Sequence, residues 1–138
     1  MTTRLPLPSD VAAAFEAMPS KARARLLSVR RLIFETAETV GAGALIETLK
    51  WGEPAYLTKA RKMGTPLRLG LSAGRPAVFF NCQTTLVAGF RSDFPDVFEY
   101  MGNRALVLPD TADQAALGLC LSRALTYHRD KVRKRVSA

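Results

Sequence analysis

The sequence predicts an α+β domain in which helices pack on one face of an antiparallel β-sheet. Three observations carry that expectation. Helical periodicity runs through residues 9–40 and returns near residue 112. Between these segments, residues 67–82 read as two apolar strands joined by the turn Ala73-Gly74-Arg75-Pro76. The regular strand–helix alternation of a doubly wound fold is missing.

The elements follow in order. Residues 9–17 predict a short helix, capped by Ser9 or Asp10, with Val11, Ala14, Phe15 and Met18 on one side. Residues 20–40 predict a longer one entered through Pro19. Its apolar stripe is Ala22, Leu26, Val29, Ile33, Ala37 and Val40, widened by Leu27 and Phe34. Arg23, Arg25, Arg30 and Arg31 fall mostly off that stripe, and Gly41 and Gly43 end the helix. Residues 45–51 and 55–58 read as two strands, or as one strand bent at Gly52 and Pro54. Leu67, Leu69 and Leu71 alternate with Arg68, Gly70 and Ser72, as in a half-buried strand. Residues 77–82 are apolar on both faces, which predicts an interior strand. A helix over 83–92 buries Leu86, Phe90 and Phe94, and Pro95 leads to a short turn at 96–100. Gly102-Asn103 then turns the chain into a last strand over 104–108. The final helix spans 112–130, with Thr111 and Gln114 as a capping box and Leu117, Leu121, Ala124 and His128 on one stripe.

With 138 residues and no repeat or linker, the chain is expected to form one domain with a core over about 10–130. Residues 131–138 are expected to fray as a basic tail, since Arg129 to Arg135 hold five of the twenty Lys and Arg. The net charge of +8 favours anionic partners through a non-specific field. No apolar run approaches the roughly 20 residues that span a bilayer, so no membrane association is expected. The segment Met1 to Pro6 lacks the apolar stretch of a signal peptide. The two cysteines, Cys82 and Cys120, form no paired motif. Together these features place the protein in the cytoplasm, with both thiols reduced.

Residues 49–56 read Leu49-Lys50-Trp51-Gly52-Glu53-Pro54-Ala55-Tyr56. This Lys-Trp-Gly-x-Pro-x-aromatic signature resembles that of the YdhG-like family, catalogued as domain of unknown function 1801. Three further stretches agree: the opening helix from Val11 to Pro19, the turn Gly102-Asn103-Arg104-Ala105, and Ala124-Leu125-Thr126-Tyr127-His128. The resemblance implies an antiparallel α+β layout similar to that of frataxin. Some members are described as iron chaperones, and most have no assigned role.

The residues themselves suggest a binding site at the aromatic bend. Trp51 and Tyr56 supply apolar area with polar tips, beside Glu53. The following basic stretch, Lys59, Arg61 and Lys62, with Arg68 and Arg75 close in sequence, can hold a phosphate or carboxylate through charge and backbone N–H groups. The leading expectation is therefore a non-catalytic domain that binds a small anionic ligand or a protein partner. Its ligand-binding residues are Trp51, Glu53, Tyr56, Lys59, Arg61 and Lys62.

An iron-binding role is the alternative. It would rest on Glu35, Glu38, Glu47 and Glu53, a thin acidic set on a basic chain, and no metal or cofactor is expected. A small enzyme using Cys82 or His128 is a second alternative, although no elbow, phosphate loop or zinc spacing accompanies them. No helix-turn-helix or aromatic RNA-binding motif is present, so no specific nucleic-acid partner is expected. An exposed sheet face or edge would allow a homodimer.

Overall fold

The computed structural model describes residues 6–111 and 113–137. Helices α1 (Ser9–Glu16) and α2 (Ser20–Thr39) lead into strands β1 (Leu45–Lys50), β2 (Glu53–Thr58), β3 (Leu67–Ser72) and β4 (Arg75–Phe80). Helix α3 (Leu86–Asp93), strands β5 (Glu99–Met101) and β6 (Ala105–Val107), and helices α4 (Gln114–Leu125) and α5 (Tyr127–Ser137) follow. The strands make one sheet in the order β1-β2-β3-β4-β6-β5, antiparallel at every pairing. The expected α+β class is therefore the observed one.

The main core lies between the helices and one face of the sheet. Val11 and Phe15 of α1, Leu26 and Ile33 of α2, and Leu117 and Leu121 of α4 meet Leu67, Leu69, Val78 and Leu106 from the strands. Each such side chain contributes about 1.5–3 kcal/mol when fully buried. The opposite face holds a second cluster, Ala77, Phe79, Ala105 and Val107 with Met101 against it. No helix residue belongs to that cluster among the described residues. One face of the sheet is thus covered and the other is open.

The hairpin between β1 and β2 resolves the choice left by Gly52 and Pro54. Lys50 pairs with Glu53, so the loop is only Trp51-Gly52, and both residues have positive φ (51° and 74°). That is the type I′ pattern, whose twist matches paired strands. Lys50 and Glu53 close the hairpin and bond to each other, which turns Pro54 toward β3. Pro54 has no N–H to donate there. The β2–β3 register accordingly holds only Ala55↔Arg68 and Tyr56↔Leu67. The second hairpin repeats the pattern, with Ala73 at φ 50° and Gly74 at 79°.

Several elements differ from expectation. Arg30 lies on the buried side of α2, only 7% exposed, because Glu47 of β1 receives it. Asp113 caps α4, accepting from the Ala115 and Ala116 N–H groups, where Thr111 and Gln114 were expected to do so. Neither Ser9 nor Asp10 caps α1 by its side chain; the cap position is Pro8. The turn expected at 96–100 contributes β5, whose Tyr100 hydroxyl donates to the Phe94 and Phe90 carbonyls and ties the strand to the end of α3.

The last helix breaks at Thr126. The Met63 carbonyl accepts from the His128 and Arg129 N–H groups, and the Thr126 hydroxyl donates to Ser122 O. The expected frayed tail is helical through Ser137, and Ala138 lies outside the described residues. The break also carries His128 off the apolar stripe of α4 and leaves it exposed.

Candidate functional site

The β1–β2 hairpin places two different clusters on the two faces of the sheet. Leu45, Glu47 and Leu49 alternate toward the helices, and Tyr56, paired with Glu47, points the same way. There the Glu47 carboxylate accepts from Arg30 Nε at 2.5 Å, from Arg30 Nη2 at 2.9 Å and from the Tyr56 hydroxyl at 2.8 Å. Tyr56 is fully buried and makes an edge contact with Phe34. Burial first, and then the Glu47 charge, push its hydroxyl pKa well above the ordinary tyrosine range. The bidentate pairing with Glu47 raises that of Arg30, against the desolvation of the guanidinium. This cluster is sealed and has a structural role.

On the open face, Arg68 is paired with Glu53, and its guanidinium lies 4.9 Å from the Trp51 ring centroid and 5.1 Å from that of Phe79. Both contacts are within cation–π range. The alternation of β3 sends Arg68 to this face while Leu67 and Leu69 enter the core. A side chain of even one carbon at Gly70 would fall on the Glu53 carboxylate. Glycine at that position is therefore what lets Glu53 lie across β3 toward Arg68.

Beside this pair is a cleft of about 550 Å³. Lys50 and Trp51 from the hairpin, Pro66 and Arg68 from the start of β3, Phe79 to Cys82 from the end of β4, and Arg104 from the β5–β6 turn line it. Three cations thus converge on an apolar floor. Among the described residues, neither Lys50 nor Arg104 has an ionic partner, and Arg68 has only Glu53. Trp51 stands 84% exposed at the tip, in a backbone conformation that a non-glycine side chain disfavours.

The expected site residues are divided by this geometry. Trp51 lines the cleft, and Glu53 stands next to it on Arg68. Tyr56 does not reach it, because strand alternation places its side chain in the core on the other face. Lys59, Arg61 and Lys62 are exposed and do not line it either. Their loop is anchored at the far end of the hairpin: Lys59 N–H donates to Ala44 O, and Thr65 N–H to Ala124 O. Sequence reasoning missed Lys50, Phe79 and Arg104, although the strand alternation already placed Arg68 opposite the core leucines.

The alternative chemistries find the following placements. Glu47 and Glu53 lie on opposite faces, each held by an arginine, and Glu35 and Glu38 are exposed on α2. Among the described residues no group of three or more His, Cys, Asp or Glu side chains is placed to hold a metal ion. Cys120 is fully buried, and its burial pushes the thiol up to about 12. Cys82 is exposed and lines the cleft, whereas His128 is on α5 and does not. The cleft walls carry no His, Asp or Glu to act as a general base among the described residues. Among the described residues, no helix is long and apolar enough to cross a membrane. No protein-family model, curated protein or solved structure matches the chain.

Proposed function

We propose that this chain is a non-catalytic, YdhG-like binding domain that takes a small anionic ligand in the open-face cleft. The observation that carries the reading is the convergence of Lys50, Arg68 and Arg104 on a floor of Trp51 and Phe79. Glu53 neutralises only one of these cations, so the cleft keeps a net positive charge. Cations in an apolar, partly enclosed setting bind anions more strongly than the same charges spread in water. Residues 49–56, which motivate the family assignment, supply Lys50 and Trp51 directly and Glu53 indirectly. The exposed, unpaired Cys82 fits a reducing compartment and supports a cytoplasmic location.

Trp51 is the only tryptophan, so its fluorescence reports on the cleft without a label. Titration with a panel of small anions, from inorganic phosphate to mono- and dicarboxylates, should change that emission saturably for at least one of them. The double variant Lys50→Ala/Arg104→Ala should weaken that binding by about tenfold or more, the equivalent of one desolvated ionic contact. Equal binding by parent and variant would contradict the assignment of the cleft.

A further inference from the structure

We infer that Glu53 is an internal competitor for the ligand's seat on Arg68, and that the ligand is a carboxylate on a flat apolar body. The inference rests on the cleft proposed above and names its ligand class. Arg68 is oriented between Trp51 and Phe79, and the Glu53 carboxylate accepts from its guanidinium. A guanidinium recognises a planar carboxylate through parallel N–H donors. The group already seated there is such a carboxylate. Glu53 reaches the seat over Gly70, where no side chain obstructs it.

The pair is neither sealed nor free. Its side chains are 21% and 24% exposed, against 9% for both members of the Arg30–Glu47 pair. Partly exposed ion pairs of this kind are weak enough to be exchanged for a better one. An incoming carboxylate would gain Lys50 and Arg104, which Glu53 does not engage. Its flat body would lie against Trp51, whose ring is largely open to solvent, and the apolar floor of Pro66 and Phe79. When it binds, Glu53 swings to solvent. The resident carboxylate therefore sets a threshold that rejects weak anions and admits those with both the charge and the apolar body.

Two variants remove the competitor by independent means. Glu53→Gln deletes its charge at nearly constant size. Gly70→Ala keeps every charge, and its methyl group displaces the flexible end of Glu53. Isothermal titration with benzoate, and with acetate as the small-body control, should show both variants binding benzoate about fivefold more tightly than the parent, the value of one partly exposed ion pair. Acetate should bind more weakly than benzoate in every case. Thermal melts establish that each variant is folded, and if one is not, the other decides. If both folded variants bind benzoate as the parent does while Lys50→Ala/Arg104→Ala still weakens anion binding, the competitor role is overturned and the cleft stands. If neither benzoate nor inorganic phosphate binds the parent or any variant, both are overturned.

Discussion

The β1–β2 hairpin supplies the glutamates of two arginine–glutamate pairs with aromatic neighbours, one on each face of the sheet, completed by Arg30 of α2 and Arg68 of β3, and the pairs have different fates. Arg30–Glu47 is closed in by Tyr56 and Phe34, and Arg30 also donates to Pro6 O at 3.2 Å. Arg68–Glu53 is flanked by Phe79 and an exposed Trp51 and opens onto a cleft. Almost the same set of groups thus acts as a structural rivet on one face and as a recognition surface on the other. Burial decides between them, because desolvation makes a charged pair costly to break and also costly to reach.

The largest expected effect comes from breaking the covered pair. Arg30→Ala leaves the Glu47 carboxylate buried without its cation and should cost about 3–5 kcal/mol in urea unfolding. Arg68→Ala, on the open face, should cost about 1 kcal/mol or less. Equal losses would show that the two faces are energetically alike and would break the comparison.

Next comes the response to alkaline pH. The folded chain keeps the Tyr56 proton well above the pH at which the unfolded chain releases it, near pH 10. The associated stability is therefore complete below about pH 10 and declines above it by up to about 1.4 kcal/mol per pH unit. Tyr56→Phe should reduce that slope, as read from unfolding curves taken at several pH values between 9 and 11. An unchanged slope would mean that the hydroxyl is not sealed against Glu47.

The smallest expected effect on stability is at the hairpin tip, and it has the opposite sign. Trp51→Asn creates Asn-Gly, the preferred pair for a type I′ turn, and should raise stability by up to about 1 kcal/mol. The same variant should lose anion binding. A loss of stability together with unchanged binding would assign Trp51 to packing.

The fold was largely legible. The alternation of Leu67, Leu69 and Leu71 reflects a strand with one face on the core, and the apolar run 77–80 a strand buried on both faces; the expected strand ran on to Cys82, but β4 ends at Phe80 and leaves Asn81 and Cys82 exposed. The shortest elements were not. β5 has only Glu99, Tyr100 and Met101, too few residues for any period to emerge. The break at Thr126 has neither glycine nor proline to mark it, because its cause is the distant Met63 carbonyl.

The site was half legible for a related reason. Trp51 and Tyr56 stand five residues apart in one signature, and only a two-residue turn sends them to opposite sides of the sheet. A bend in one strand leaves that parity undetermined. Arg30 did leave a signal: it lies four residues after Leu26 and three before Ile33, within the buried stripe, and Glu47 alternates with Leu45 and Leu49. The convergence of Arg104 on Lys50 left none, since it depends on the order of strands across the sheet.

The most direct test of the central claim is a two-dimensional amide NMR titration of the intact protein with benzoate. The account predicts saturable shifts at Lys50 to Glu53, at Arg68, across Phe79 to Cys82 and at Arg104. The amides of Arg30 and Glu47 on the covered face should stay in place. Shifts centred on the 59–62 loop or on α2, or no saturable shift at millimolar benzoate, would contradict it.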